Sequence, residues 1–175
     1  MNGRNFQRQY KNKLSGYTDW NQLEHAEDYL VYPKNIGYSL LIDETALSNG
    51  ELYTILTNKA KRGKKGSIVG IFKGTHAADI IKLIKENFTD EQRRIVKEVT
   101  LDMANSMSQI VKKCFSKATR IIDRFHVQNI INFFDNRSTN AAAESFNAKV
   151  KDFRRQFRGV VDVKFFLFRL TKIFA

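Results

Sequence analysis

The chain has 175 residues, of which 42% are hydrophobic, with 30 Lys and Arg against 18 Asp and Glu and a formal net charge of +12. This length allows one hydrophobic core, and the apolar and aromatic content excludes a disordered chain. No apolar stretch reaches the roughly 18 residues of a membrane span, and no signal peptide is evident. The single cysteine, Cys114, excludes an internal disulfide and is expected to be a buried core thiol in a reducing cytoplasm.

The positive charge is concentrated in two segments. Residues 59–73 carry six Lys or Arg and no acid, and residues 149–175 carry eight Lys or Arg against two aspartates. Such a concentration of cations predicts a polyanionic partner, and nucleic acid is the usual one. The alternative is a solvated lysine surface that binds nothing.

The first half of the chain predicts a helical start followed by a meander of strands. Residues 1–37 are expected to be helical and loop-like, with an amphipathic helix over 19–30 that ends before Pro33. Strands rich in β-branched and aromatic residues are predicted next, at 38–43, 51–57 and 67–73. Turn residues at 48–50 and 61–66 separate them.

The second half predicts helices that alternate with strands. Helices are expected at 75–88, 103–115, 138–157 and 163–174, and strands at 97–102 and 119–123. The order β-β-β-α-β-α-β-α predicts the α/β class, with a mixed sheet and helices packed on it. This order is also that of the ribonuclease-H-like fold.

Three acids are placed by this plan where a sheet and a helix can present side chains to a ligand. Asp43 is expected at the end of the first strand, Asp102 at the end of the fourth, and Glu144 on the helix after the fifth. Converging carboxylates repel one another unless cations lie between them, and hard oxygen ligands favour Mg²⁺. Two such ions would activate the attacking oxygen and stabilise the leaving oxygen in phosphoryl transfer.

The predicted helix around Glu144 has two distinct stripes at helical spacing. In one stripe, a metal ligand would be followed by phosphate-binding cations. This stripe consists of Glu144, Ala148, Lys151 and Arg155. The other is expected in the core, and it consists of Phe146, Val150, Phe153 and Phe157. An ordinary amphipathic helix with a charged outer face is the alternative.

Four stretches carry a family resemblance: LLIDETALSNGELYTILTNK, VTLDMANSM, IIDRFHV and STNAAAESFNAKVKDFRRQFRG. Together they resemble the DDE transposases of bacterial insertion sequences, of the ISL-three type. The resemblance implies a ribonuclease-H-like catalytic core that cuts DNA at transposon ends and joins them to a target. It also implies a catalytic, metal-binding triad of Asp43, Asp102 and Glu144 with two Mg²⁺ or Mn²⁺ ions.

The DNA contacts follow from the same stretches and from the basic segments. The stretch IDRFHV places Asp123, Arg124 and His126 just past the fifth strand, where His126 is expected either to contact DNA or to be structural. The full set of expected DNA-binding residues is Lys64, Lys65, Arg124, His126, Lys151, Arg154, Arg155 and Arg158. The implied partners are transposon-end and target DNA at the nucleoid, and no membrane. Self-association or a separate DNA-binding subunit is left open.

Two features depart from the family pattern. The long, mostly helical insertion between the second aspartate and the glutamate is expected to be missing, and residues 1–37 are too few to predict the DNA-binding module usual in the family. The expected division is an N-terminal helical segment, 1–37, and a catalytic core without the insertion, 38–175. Residues 128–137 are expected to be a short connector that leaves apolar side chains partly exposed: Ile130, Ile131, Phe133 and Phe134.

Three functions remain open from the sequence. The first is a metal-dependent enzyme that cuts and joins DNA. The second is a catalytically inactive remnant that binds DNA or a full-length transposase. The third is a nuclease of the same fold that acts on RNA–DNA hybrids or DNA junctions. The retained acids favour the first, and the missing insertion favours the second.

Overall fold

The structure is a computed structural model that describes residues 3–48, 50–123, 144–156, 160 and 162–175. Its strands are β1 (Tyr29–Val31), β2 (Ser39–Ser48), β3 (Glu51–Asn58), β4 (Ile68–Lys73), β5 (Glu98–Leu101) and β6 (Thr119–Ile122). They form one sheet in the order β1-β4-β3-β2-β5-β6.

The sheet is mixed, and its topology settles the fold class. Strands β2, β3 and β4 pair antiparallel in sequence order, and β1 adds an antiparallel edge to β4. Strand β5 then pairs parallel with β2, and β6 pairs parallel with β5. A three-stranded meander whose first strand is extended by two parallel strands is the ribonuclease-H-like arrangement. The predicted α/β fold class is therefore confirmed.

The helices are α1 (Gly3–Gln9), α2 (Ala77–Asn87), α3 (Asp90–Ile95), α4 (Asn105–Cys114), α5 (Glu144–Gln156) and α6 (Val163–Phe174). Helix α3 was not predicted, although a capping box between Thr89 and Gln92 marks its start. A π-helical turn, Tyr10–Leu14, continues α1. None of the described helices has the length and apolar character that a membrane span requires.

The helices cover the two faces of the sheet with separate cores. On one face, called the α2/α4 face, Ile42 and Val99 pack in one cluster with Ile84 and Ile110. On the other, called the α5/α6 face, the second cluster is formed by Leu47, Ile55, Ile71, Val150, Phe153 and Leu167. Val150 and Phe153 are thus in the core, as predicted, whereas the side chains of Phe146 and Phe157 lie outside the described residues.

Cys114 ends helix α4 inside the core of the α2/α4 face. Its thiol is buried, and this burial raises the pKa of Cys114 to about 11. A thiol with such a pKa is almost entirely protonated at neutral pH and is a poor nucleophile. The prediction of a buried core thiol is confirmed.

The predicted helix over 19–30 is wrong. Residues up to 28 form turns, and Tyr29–Val31 is the edge strand β1, with Leu30 paired to Ile71. Trp20 and Leu23 pack against Phe165 and Phe168 of α6. Turns direct the apolar residues of this segment to one core, which explains their helical spacing. The strand pairing of Leu30 excludes a helix at the end of the segment.

The prediction that Asp43 ends its strand is also wrong. Strand β2 continues to Ser48, and Asp43 is paired with Ile55 in its middle. Adjacent acids are disfavoured in strands. Here the pairing of Glu44 with Thr54 and of the following residues with β3 continues the ladder past them.

Candidate active site

Asp43 and Asp102 are brought side by side by two neighbouring strands. Strands β2 and β5 run parallel, and Leu41 is paired with Thr100. When this register is extended by two residues on each strand, Asp43 is aligned with Asp102, across a strand spacing of about 4.8 Å. Asp102 directly follows the last residue of β5, as the sequence predicted.

Both aspartates belong to the α5/α6 face of the sheet. Side chains alternate between the faces of a strand. Ile42 and Leu101 are buried in the core of the α2/α4 face. Their neighbours Asp43 and Asp102 are therefore directed to the opposite face, where both are half-buried. The two carboxylates thus share one face.

Local backbone bonds orient each of these carboxylates. The Oδ1 of Asp43 accepts a hydrogen bond of 2.8 Å from the amide of Glu44. The Oδ1 of Asp102 accepts one of 2.8 Å from the amide of Ala104. Each of these bonds holds one carboxylate oxygen close to its own backbone.

A third acid, Glu44, feels the charge of both aspartates, although it follows Asp43 in β2 and is therefore directed to the α2/α4 face. Desolvation by burial raises the pKa of Glu44, and the charges of Asp102 and Asp43 raise it further. Glu44 was not among the predicted site residues, and its direction keeps it apart from the pair formed by Asp43 and Asp102.

Asp123 lies at the same edge of the sheet. Strand β6 pairs parallel with β5, with Ile122 opposite Leu101. The amide of Asp123 donates a 2.8 Å hydrogen bond to the carbonyl of Leu101. The start of the stretch IDRFHV therefore lies beside Asp102. Arg124 and His126 lie outside the described residues, as do Arg158 and the predicted connector 128–137.

Helix α5 lies across the face that carries the two aspartates. Near its middle, the ammonium of Lys149 donates to the carbonyl oxygens of Arg62 and Gly63, at 3.2 Å and 3.1 Å. Further along, Arg154 donates to the carbonyl of Ala46 in β2, at 3.3 Å. Helix α5 therefore runs in the same sense as β2. Its first residue, Glu144, is at the end nearer to the β3–β4 loop, and the side chain of Glu144 lies outside the described residues.

The predicted DNA-binding cations that the structure describes differ in their surroundings. Lys64 and Lys65 are exposed in the β3–β4 loop, and Lys151 and Arg155 are exposed on α5. Arg155 forms an ion pair with Asp152 in the same helix. Arg154, described above, is instead half-buried against β2.

The acids fit a divalent cation in their chemistry. Asp43 and Asp102 offer only oxygen ligands, as Mg²⁺ and Mn²⁺ prefer. Within the described part of the chain, no group of three or more metal-ligating side chains is assembled. The structure therefore brings two of the three predicted ligands together, and the position of the Glu144 carboxylate remains a prediction.

Residues 40–132 and 128–170 match the model of the ISL-three-type DDE transposase family, which is described as "Transposase". The chain belongs to this family. The match covers more than half of the chain and confirms the resemblance carried by the four quoted stretches. Both aspartates and Glu144 of this transposase-family chain fall within the matched residues.

Among solved structures, the catalytic core domain of BIV integrase is similar to this family member. The two are 13% identical in sequence, and the alignment covers 77% of this chain and 81% of that chain with a TM-score of 0.43. The comparison with curated protein sequences found no match.

Proposed function

We propose that the chain is a DDE transposase that cuts DNA and joins the cut ends to a target with Asp43, Asp102 and Glu144 as its metal ligands. The observation that carries this proposal is the parallel register of β2 and β5, which aligns Asp43 with Asp102 on one face. Membership of the transposase family supports the reaction class.

The proposed roles follow from the chemistry of the residues. Two bound Mg²⁺ or Mn²⁺ ions would supply activation of the attacking oxygen and stabilisation of the leaving one. Asp43 and Asp102 would hold them from the sheet, and Glu144 from the first turn of α5.

The DNA would lie across the α5/α6 face. The β3–β4 loop and the outer side of α5 carry the exposed cations Lys64, Lys65, Lys151 and Arg155. Lys149 connects these two cationic segments through its bonds to the loop. The exposed cations of the loop and of α5 would hold the phosphate backbone while the carboxylates bind metal.

A second candidate function is a catalytically inactive remnant that binds DNA or a full-length transposase. The family match supports it, because it falls into two segments that meet and overlap at residues 128–132. A match that is divided in two, with no unmatched residues between the parts, is expected when the chain lacks a segment that other family members have at that point. The missing sequence would be the helical insertion between Asp102 and Glu144.

A cleavage assay separates the two functions. Purified protein is incubated with Mg²⁺ or Mn²⁺ and labelled duplexes of the DNA that flanks its own gene. The variants are Asp43→Asn, and Asp79→Asn as a matched control on the other side of the sheet. Metal-dependent nicking or joining by the parent and Asp79→Asn, but not by Asp43→Asn, supports the enzyme. Equal inactivity of all three with DNA binding intact contradicts it and supports the remnant.

A further inference from the structure

Lys59 is the cation of the β3–β4 loop that is anchored against the sheet. It directly follows β3, and its ammonium donates a 2.8 Å hydrogen bond to the hydroxyl of Thr100. Thr100 is only 6% exposed. Lys59 is an exposed residue, as Lys64 and Lys65 are, but a buried hydroxyl holds the end of its long, flexible side chain.

The anchor lies on the face of the two aspartates and close to them. Thr100 of β5 precedes Asp102 by two residues, and it is paired with Leu41, which precedes Asp43 by two residues. Two residues of strand span about 6.6 Å, and residues two apart share a face. Thr100, which holds the Lys59 ammonium, therefore lies about one strand repeat from Asp102.

The bond to Thr100 leaves the ammonium able to bind an anion. A lysine ammonium has three N–H donors, and the hydroxyl of Thr100 uses one. A phosphate held at the carboxylates would have its neighbour along the DNA strand within a similar distance. The side chain thus has both the charge and the position to bind that neighbouring phosphate.

We propose that Lys59 is a positioning residue that binds a backbone phosphate next to the one held at Asp43 and Asp102. Through this contact it sets which phosphate of the strand reaches the acids. This role rests on the proposed function, because it requires a metal-bound phosphate at the carboxylates. It distinguishes Lys59 from Lys64 and Lys65, whose contacts would not depend on the acids.

The test measures duplex DNA affinity in Ca²⁺ and in EDTA. Calcium is a hard cation that binds carboxylate oxygens. Bound at the acids, it would draw the strand toward them and toward Lys59, whereas the bare carboxylates repel it. The variants are Lys59→Met, which keeps the aliphatic stem, Lys59→Arg, which keeps the charge, and Lys65→Met as the matched control. Thermal unfolding of each variant verifies that the fold is kept.

We expect Lys59→Met to lose about tenfold in affinity in Ca²⁺, as for a charged hydrogen bond, and less than about twofold in EDTA. Lys59→Arg recovers most of the loss, and Lys65→Met loses the same factor in both conditions. An equal loss for Lys59→Met in both conditions, or no loss, overturns the role of Lys59.

Two further measurements make failure of the inference distinguishable from failure of the proposed function. If the parent binds DNA no more tightly in Ca²⁺ than in EDTA, the metal site itself is contradicted, and the role of Lys59 is overturned with it. Thr100→Val removes the anchoring hydroxyl but keeps the lysine. We expect Thr100→Val to lose part of the Ca²⁺-dependent affinity. An unchanged affinity contradicts a role for the hydrogen bond between Lys59 and Thr100.

Discussion

The ammonium of Lys149 lies 3.1 Å from the carbonyl oxygen of Gly63 and so ties helix α5 to the β3–β4 loop. The backbone of Gly63 has a φ of +67°. A Cβ at this position would lie 2.4 Å from the Lys149 ammonium. Gly63 thus meets two requirements, a left-handed backbone and room for the Lys149 ammonium. The two cationic segments are joined at this position.

Gly63→Ala should break the contact between Lys149 of α5 and the β3–β4 loop. Left-handed backbone at an alanine costs about 1–2 kcal/mol, and the added Cβ displaces the Lys149 ammonium. Gly16 also has a positive φ, of +74°, but a Cβ added there would meet no heavy atom of the described residues within 4 Å. We expect both alanine variants to lose similar unfolding free energy in denaturant titrations, and only Gly63→Ala to bind duplex DNA more weakly. Equal DNA affinity of the two variants contradicts a role of the Lys149–loop contact in DNA binding.

The exposed cations of α5 should determine part of the salt dependence of DNA binding. Each phosphate contact that is removed lowers the slope of log K against log salt by about 0.9 for duplex DNA. Lys151→Gln with Arg155→Gln should therefore lower it by up to about 1.8. The control is Lys112→Gln with Lys113→Gln, an exposed pair on α4 at the other face. A slope that falls equally for both pairs shows that the α5 cations are ordinary surface charges.

Glu44 should make the fold less stable as the pH rises. Burial and the neighbouring aspartates raise its pKa in the folded chain above its value in the unfolded chain. Between the two pKa values the folded state binds more protons, so the free energy of unfolding falls as pH increases through this window. Glu44→Gln removes this ionisation. We expect its melting temperature to exceed that of the parent at pH 7 and the difference to shrink toward pH 4. A melting-temperature difference that is the same at pH 7 and pH 4 contradicts a raised pKa of Glu44.

Cys114 should react with thiol reagents only after unfolding. Its thiol is buried, and its pKa is raised to about 11. We expect slow modification by iodoacetamide in the native protein at pH 7.5, and modification that increases with the unfolded fraction in denaturant. Rapid modification of the native protein, with no loss of its circular dichroism spectrum, contradicts the burial.

Much of the fold could be predicted because local patterns agreed with the final packing. The β-branched runs at 51–57 and 67–73 correspond to β3 and β4, and the apolar helix 163–174 has the observed bounds of α6. The segment 19–30 could not be predicted in this way. Its helical spacing reflects burial against α6, and only the long-range pairing of Leu30 with Ile71 makes its end a strand.

The candidate site could be predicted as a set of residues but not as an arrangement. The stretches IDET and TLDM indicated Asp43 and Asp102, but their alignment depends on the parallel register between strands that are far apart in sequence. Glu44 and Lys59 were not singled out, because their roles depend on neighbours that the sequence does not show. For Glu44 these are the two aspartates, and for Lys59 it is the hydroxyl of Thr100.

The most direct test of the account measures Mn²⁺ binding to the purified protein by electron paramagnetic resonance. Asp43→Asn and Asp102→Asn are compared with the parent and with Asp79→Asn, an exposed acid on α2. We expect the parent and Asp79→Asn to bind Mn²⁺ equally and each site variant to lose at least about tenfold in affinity, as for the loss of a metal-supporting group. Equal Mn²⁺ affinity of all four proteins, or no binding by the parent, would contradict a metal site at Asp43 and Asp102.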